Sequence, residues 1–227
     1  MKYIVKNLPE YFKYQDKALE NPELFWSEIA ESFNWKKKWD KVLNADMHKA
    51  NIKWFEGGQL NITENCIDRH LKEKGDQTAI IFEPNSIEEK AQHITFNKLS
   101  DEVNRIANVL KQKGIKKGDR ICIYLPMVPE LAYTMLACAR IGAIHSVVFA
   151  GYSSTALASR INDAACKMVL TADGSYRGAK EINLKNIVDK ALLDCPSIEN
   201  VLVVKRTNCA IEMKSERDFY LADLTKN

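Results

Sequence analysis

Extended and helical segments alternate regularly between residues 119 and 205, and this alternation constrains the fold more than any other sequence feature. Short apolar runs such as 145–149 (HSVVF) are typical of strands buried on both faces, as inside a parallel sheet. Each run is followed by a segment with helical spacing of apolar residues. The pattern predicts an α/β fold, a parallel sheet flanked by helices. The predicted strands are 119–125, 145–149, 168–171 and 200–205, and the helices between them are 129–141, 155–162 and 182–193.

Right-handed crossovers in such a sheet bring the loops at the carboxyl ends of the strands to one edge, where ligands tend to bind. The predicted strands end at residues 125–126, 149–151 and 171–174. We therefore look for functional residues in these three loops.

Residues 1–60 differ from the rest because they hold all four tryptophans. We treat them as a Trp-rich helical and extended segment that precedes an α/β subdomain over residues 61–227. Trp35, Trp39 and Val42 have the spacing of one helix face, which predicts a helix with the intervening lysines in solvent. Tryptophans interleaved with lysines also occur in nucleic-acid-binding surfaces, but a solvated helix face is the commoner origin of this pattern.

Weaker signals predict elements outside the alternating region. Pro22 after Asn21 suits the first position of a helix. Further predicted elements are a helix at 66–74, extended runs at 78–82 and 92–96, and a helix with its core face at Val103, Ile106, Ala107 and Leu110. Beyond Arg206 no element is predicted, because the apolar pattern fades.

Composition narrows the class of protein. The 227 residues are 46% hydrophobic, which is enough to build a core. The 33 basic and 30 acidic residues nearly cancel, so no nucleic-acid or membrane partner is expected. The apolar runs are too short for a transmembrane helix, and the N-terminal residues lack the apolar block of a secretory signal. Six cysteines without a CxxC pair indicate a reducing, cytoplasmic compartment.

Residues 173–180 (DGSYRGAK) are the most suggestive loop. Arg177 and Lys180 can present two cations on one face at a predicted helix start, a combination suited to a phosphate group. An ordinary exposed turn with two solvated cations has the same spacing, and spacing alone favours that interpretation. No P-loop, nucleophile elbow or Gly-x-Gly-x-x-Gly sequence occurs, and the four histidines lack metal-site spacing. We therefore assign no catalytic residue and no metal ligand.

Residues Phe149, Ala150 and Gly151 follow a predicted buried strand. Gly151 would permit a close approach of the backbone to a ligand, and Phe149 could stack on a flat ring. A strand end followed by a helix cap at Ser153 or Ser154 explains the same residues, and the residues alone do not decide.

Several longer blocks resemble the acetyl-coenzyme A synthetases, a branch of the acyl-adenylate-forming enzymes. They are 54–61 (WFEGGQLN), 65–70 (NCIDRH), 118–120 (GDR), 124–130 (YLPMVPE) and 135–149 (MLACARIGAIHSVVF). The resemblance extends over most of the chain and is weakest after Arg206. It implies the N-terminal portion of the large domain of such an enzyme.

The resemblance also implies an activity and a site. The family joins ATP and acetate to acetyl-AMP, from which coenzyme A (CoA), a substrate, displaces AMP. Phe149, Ala150 and Gly151 match the family's Phe-Gly-Gly, which lies against the CoA nucleotide. Arg177, Gly178, Ala179 and Lys180 match its Arg-Gly-Gly-Lys/Arg segment, whose cations meet the CoA phosphates. Ala150 and Ala179 depart from the family pattern, because each replaces a glycine.

The family's adenylation loop, Thr-Gly-x-Pro-Lys-Gly, is not found in the sequence. Its ATP, Mg²⁺ and acetate sites are likewise expected downstream of the matched blocks. We therefore expect an N-terminal fragment of an acetate–CoA ligase that is inactive alone. The alternatives are a fragment of a propionate–CoA ligase, a stand-alone protein that binds CoA or a related nucleotide without turnover, and a scaffold that docks through the Trp-rich segment. The oligomeric state is left open.

Overall fold

The computed structural model describes residues 4–226, and the chain divides into two units between Arg69 and His70. The domain boundary at residue 60 stays a prediction. Residues 1–3 and 227, at the ends of the two predicted domains, lie outside the described residues.

The first unit combines short helices with one antiparallel strand pair. The helix predicted at Pro22 is confirmed, and the Asn21 side chain caps it by accepting the Leu24 N–H. The helices are α1 Leu8–Glu20, α2 Pro22–Ala30 and α3 Ile62–Cys66, and the strands are β1 Lys41–Asp46 and β2 Asn51–Glu56.

The helix predicted through Trp35, Trp39 and Val42 is wrong. Lys37 instead forms a β-bridge with Gln59, and Val42 lies in β1. The rings of Trp35 and Trp39 do lie together, with their centroids 5.0 Å apart. Both pack on Phe55 of β2, at centroid distances of 5.5 and 5.2 Å. Aromatic packing within this unit therefore overrides the helical spacing.

The second unit contains the predicted α/β pattern. Its helices are α4 Leu71–Lys74, α5 Phe96–Gln112, α6 Pro129–Ile141, α7 Ser154–Asp163, α8 Leu184–Ala191 and α9 Leu221–Leu224. Its strands are β3 Thr78–Phe82, β4 Gln92–Thr95, β5 Arg120–Tyr124, β6 Ile144–Val147, β7 Met168–Ala172, β8 Gly174–Arg177, β9 Lys180–Asn183, β10 Asn200–Val204 and β11 Asp218–Tyr220.

Five of these strands form the parallel sheet, in the order β11-β10-β7-β5-β6, which confirms the predicted fold class. Every residue of β7, in the middle of the sheet, is buried. The chain leaves β5 toward β6 at one edge and leaves β7 toward β10 on the other side. The direction of winding therefore reverses between β5 and β7, and this switch point is where open α/β sheets bind ligands.

Three element predictions need correction. The helix predicted at 66–74 is broken, because a 3-10 turn at Asp68–His70 separates α3 from α4. The helix predicted at 182–193 begins only at Leu184, since Ile182 belongs to β9. The strand β11 and the helix α9 were missed, because they have three and four residues and follow a stretch without apolar periodicity.

A buried charge network fastens β11 to α8. Lys185, which is 1% exposed, places its Nζ 2.7 Å from the carboxylates of both Asp189 and Asp218. Arg217 contacts the same two carboxylates. Burial opposes ionisation of Asp218, but hydrogen bonds from Arg217, Lys185 and the Lys214 N–H outweigh it and hold the pKa of this carboxyl below its usual range.

We predict a pH-dependent loss of stability for Asp218→Asn, measured by urea unfolding. At neutral pH the variant should be less stable by about 3–5 kcal/mol, because Lys185 loses a buried partner. A carboxyl with a lowered pKa contributes stability above its ordinary pKa and loses it as the pH falls through the folded value. The difference in unfolding free energy between variant and wild type should therefore shrink as the pH falls below about 3.9, the ordinary pKa of an Asp carboxyl. Asp163→Asn, at an exposed carboxylate on α7, is the control, and a difference independent of pH would contradict the network.

Candidate functional site

A cleft of about 620 Å³ opens at the carboxyl ends of β5, β6 and β7. Its walls come from the segments that follow β5, β6 and β10, from the end of β3 with the connection after it, and from the strands β8 and β9. This is the switch point of the sheet, so the cleft lies where the topology predicts a ligand. Its lining includes Leu125, Pro126, Met127, Val147, Phe149, Ala150, Gly151, Tyr176, Arg177 and Arg206.

A tight turn follows β6, in which the Tyr152 N–H donates to the Phe149 carbonyl at 3.1 Å. The Phe149 ring is 70% exposed and meets the Tyr152 ring edge-on at 5.8 Å. A methyl group on Gly151 would lie 2.4 Å from the Phe149 ring, so the glycine lets the ring fold over the turn. Ala150 is not among the residues with positive φ, so its methyl group costs no backbone strain.

A hydrogen bond from Tyr124, the last residue of β5, holds this turn in place. Its hydroxyl donates to the Tyr152 carbonyl at 2.7 Å. Burial raises the pKa of Tyr124, which keeps this donor protonated. On the other side, the Arg160 guanidinium lies over the Tyr152 ring at 4.5 Å. The apolar Phe149 ring is therefore presented on a fixed support.

The basic loop forms a β-hairpin, so the prediction that Arg177 and Lys180 lie at a helix start is wrong. Arg177 ends β8 and Lys180 begins β9, and the two residues face each other across the strand pair. Gly178 has φ 60°, whereas Ala179 is not among the residues with positive φ. This is the pattern of a type II′ turn, which needs glycine only at its first central position. The alanine at 179 is thus compatible with the turn.

The hairpin forms because Asp173 directs the chain out of the sheet. Its buried carboxylate accepts four backbone N–H groups, from Gly174, Arg206, Thr207 and Asn208, at 2.7 to 3.1 Å. Its carbonyl accepts the N–H groups at the start of α8, from residues 184 and 185. The helix therefore begins where the hairpin ends, with Asn183 as its cap.

The cleft brings together four of the seven residues singled out from the sequence. Phe149, Ala150, Gly151 and Arg177 all line it. The other three, Gly178, Ala179 and Lys180, are exposed at the hairpin tip and do not line it.

Sequence analysis missed Arg206, which also lines the cleft. Its guanidinium forms a two-pronged ion pair with Glu89, at 2.7 and 2.9 Å, and lies 5.4 Å from the centre of the Tyr176 ring. No local pattern could indicate an ion pair between residues this far apart in the chain. The position of Arg206 just after β10, at the functional edge of the sheet, was the available signal.

Residues 4–226 contain neither a candidate membrane span nor a candidate metal cluster. No helix in this range is long and apolar enough to cross a membrane. Nor does it contain a group of three or more His, Cys, Asp or Glu side chains arranged to hold a metal ion.

Two family profiles match the sequence. Residues 67–223 match the family described as AMP-binding enzyme. Residues 11–66 match the family described as Acetyl-coenzyme A synthetase N-terminus. Together the two matches span both units of the structure.

Curated relatives agree with these profiles. The chain is 52% identical over 92% of its length to an acetyl-coenzyme A synthetase of Alkalilimnicola ehrlichii, and 51% identical over 94% to acetyl-coenzyme A synthetase 2 of Pseudomonas aeruginosa. It spans 33% of the length of each. Among solved structures, acetoacetyl-CoA synthetase from Streptomyces lividans shares the fold, with a TM-score of 0.83 at 21% identity. That match covers 92% of this chain and 32% of the other.

The turn geometry predicts opposite tolerance at the two central positions of the hairpin. Gly178→Ala should speed hydrogen exchange of the amides at 174–183 by about fivefold, because alanine is strained at positive φ. The matched control Ala179→Gly introduces no strain and only adds backbone freedom to the open hairpin, so it should speed exchange by about twofold. Equal effects of the two substitutions would contradict the assigned turn.

Proposed function

This chain belongs to the AMP-binding enzyme family, and on that basis we propose that the whole protein is an AMP-forming acetate–CoA ligase. The proposal is supported by relatives named acetyl-coenzyme A synthetase that are about half identical to nearly all of this chain. The observation that carries it is the cleft, where Phe149, Ala150 and Gly151 lie beside Arg177. We assign this cleft to the nucleotide part of CoA.

The proposed reaction has two steps. The acetate oxygen attacks the α-phosphorus of ATP, forming acetyl-AMP and releasing pyrophosphate. The sulfur of CoA then attacks the acetyl carbon, the bond to AMP breaks, and acetyl-CoA and AMP leave. In this scheme the residues of the present chain bind and orient CoA for the second step.

Phe149 is the proposed platform for the adenine ring of CoA. It presents an apolar face that is 70% exposed, on a turn held by Tyr124 and Tyr152. Flat aromatic groups stack favourably on such a face, and stacking contributes about 1–3 kcal/mol per base. A ring already fixed in place loses little conformational entropy when it binds.

Arg177 and Lys180 are the proposed phosphate ligands. They face each other across the hairpin, and neither has an ion-pair partner among the described residues. Like charges placed opposite each other destabilise a strand pair. A phosphate dianion would offset this repulsion and accept charge-assisted hydrogen bonds from both side chains. The exposed position of Lys180 suits a phosphate that projects from the mouth of the cleft.

The sites for ATP, acetate and Mg²⁺ are proposed to lie in the part of the protein that corresponds to the remaining two thirds of the relatives. When bound, Mg²⁺ neutralises charge on the phosphates of ATP. We assign none of residues 4–226 to this ion. We also propose a cytoplasmic location, since Cys122, Cys138, Cys166 and Cys195 are buried as free thiols.

CoA binding tests the assigned site directly. Replacing both Arg177 and Lys180 with Ala should raise the dissociation constant of CoA, measured by calorimetry, by at least about tenfold, because two charge-assisted contacts are lost. The control replaces the exposed Lys72 and Lys74 of α4 with Ala, an equal change in charge away from the cleft. Affinity that falls equally in both double variants would refute the site.

Acetate-dependent exchange of pyrophosphate into ATP tests whether the adenylation site lies outside this chain. The 227-residue chain alone should show no exchange above a blank without protein, because no Thr-Gly-x-Pro-Lys-Gly loop occurs in its sequence. Exchange that depends on acetate and on this chain would show that the adenylation site is here after all.

A further inference from the structure

The ion pair between Glu89 and Arg206 joins the connection from β3 to β4 to the functional edge of the sheet. Both guanidinium Nη atoms donate to the carboxylate, at 2.7 and 2.9 Å. These hydrogen bonds hold the pKa of Glu89 below its usual range, so the pair is charged at neutral pH. A two-pronged pair of this kind fixes orientation as well as distance.

Arg206 also contacts the hairpin that carries Arg177. Its guanidinium carbon lies 5.4 Å from the centre of the Tyr176 ring and 6.0 Å from the centre of the Phe82 ring. Its backbone N–H donates to Asp173, which accepts the first N–H of the hairpin through the same oxygen. Arg206 thus touches the hairpin at its base and at the residue before Arg177.

A second contact comes from the same connection. The Asn85 side-chain amide donates to the Gly178 carbonyl, at the hairpin tip, at 3.2 Å. The connection between β3 and β4 therefore supports the hairpin at its tip through Asn85 and near its middle through Glu89 and Arg206. Two strands of four residues each are marginal without such support.

We propose that the Glu89–Arg206 pair is a positioning device for the CoA site, which holds the hairpin so that Arg177 faces the cleft. This inference rests on the proposed function, because it assigns to the pair an effect on CoA affinity. Both Nη atoms of the Arg206 guanidinium donate to Glu89, and the guanidinium also lies against the Tyr176 ring. Arg206 therefore acts through the hairpin, as a positioning residue.

The geometry requires arginine at 206. Lysine keeps the charge but cannot bind both carboxylate oxygens in one plane while lying over an aromatic ring. Arg206→Lys should therefore loosen the hairpin nearly as much as Glu89→Gln. If Arg206 acted only through its positive charge, Arg206→Lys would leave the hairpin unchanged.

The test compares Glu89→Gln with Glu88→Gln, which removes the same charge from the neighbouring exposed residue of the same connection. Amide exchange at 174–183 is measured without ligand, and the dissociation constant of CoA by calorimetry. Glu89→Gln should speed exchange about threefold to fivefold and weaken CoA binding by a similar factor, whereas Glu88→Gln should change neither. In a chain that already carries Arg177→Gln, Glu89→Gln should raise the dissociation constant of CoA by a smaller factor than it does in the wild-type chain. The reason is that its effect on CoA passes through Arg177.

The two readouts separate the possible failures. Exchange that is unchanged in Glu89→Gln would overturn the positioning role, and a weaker affinity with unchanged exchange would indicate direct contact with CoA. Faster exchange with unchanged affinity would also overturn it. If the wild-type chain binds no CoA while exchange still depends on Glu89, the proposed function fails and the pair is only a support of the hairpin.

Discussion

The functional edge of this sheet depends on one buried carboxylate. Asp173 directly follows the central strand β7 and accepts four backbone N–H groups, three of them from the chain that leaves β10. Backbone N–H groups that leave a buried sheet edge need acceptors, and the two side-chain oxygens of Asp173 accept all four. The hairpin after β7 and the segment after β10 consequently leave the sheet side by side.

That shared exit explains how distant parts of the sequence build one cleft. The hairpin carries Arg177, the segment after β10 carries Arg206, and the turn after β6 carries Phe149. An apolar ring on one wall and a cation on another suit a ligand with a flat base and phosphates. The ligand proposed from family membership has both of these parts, the base for the ring and the phosphates for the cation.

The parallel sheet was predictable, because strands buried on both faces leave continuous apolar runs such as 145–149. The family resemblance suggested the roles proposed for Phe149 and Arg177, which spacing alone left open. The hairpin was not predictable, since its form depends on hydrogen bonds from residues 206–208 to Asp173. The helix predicted through Trp35 and Trp39 failed for the same reason. These side chains pack on Phe55, which belongs to a strand that lies later in the chain.

The CoA site is tested most sharply by amide exchange of the wild-type chain measured with and without CoA. Saturating CoA should slow exchange at two separate segments, 147–152 and 174–183, both of which contribute residues to the cleft. Protection confined to other segments, for example around the basic cavity lined by Lys111, Lys116 and Lys117, would contradict it. So would the absence of any protection at a CoA concentration that saturates binding.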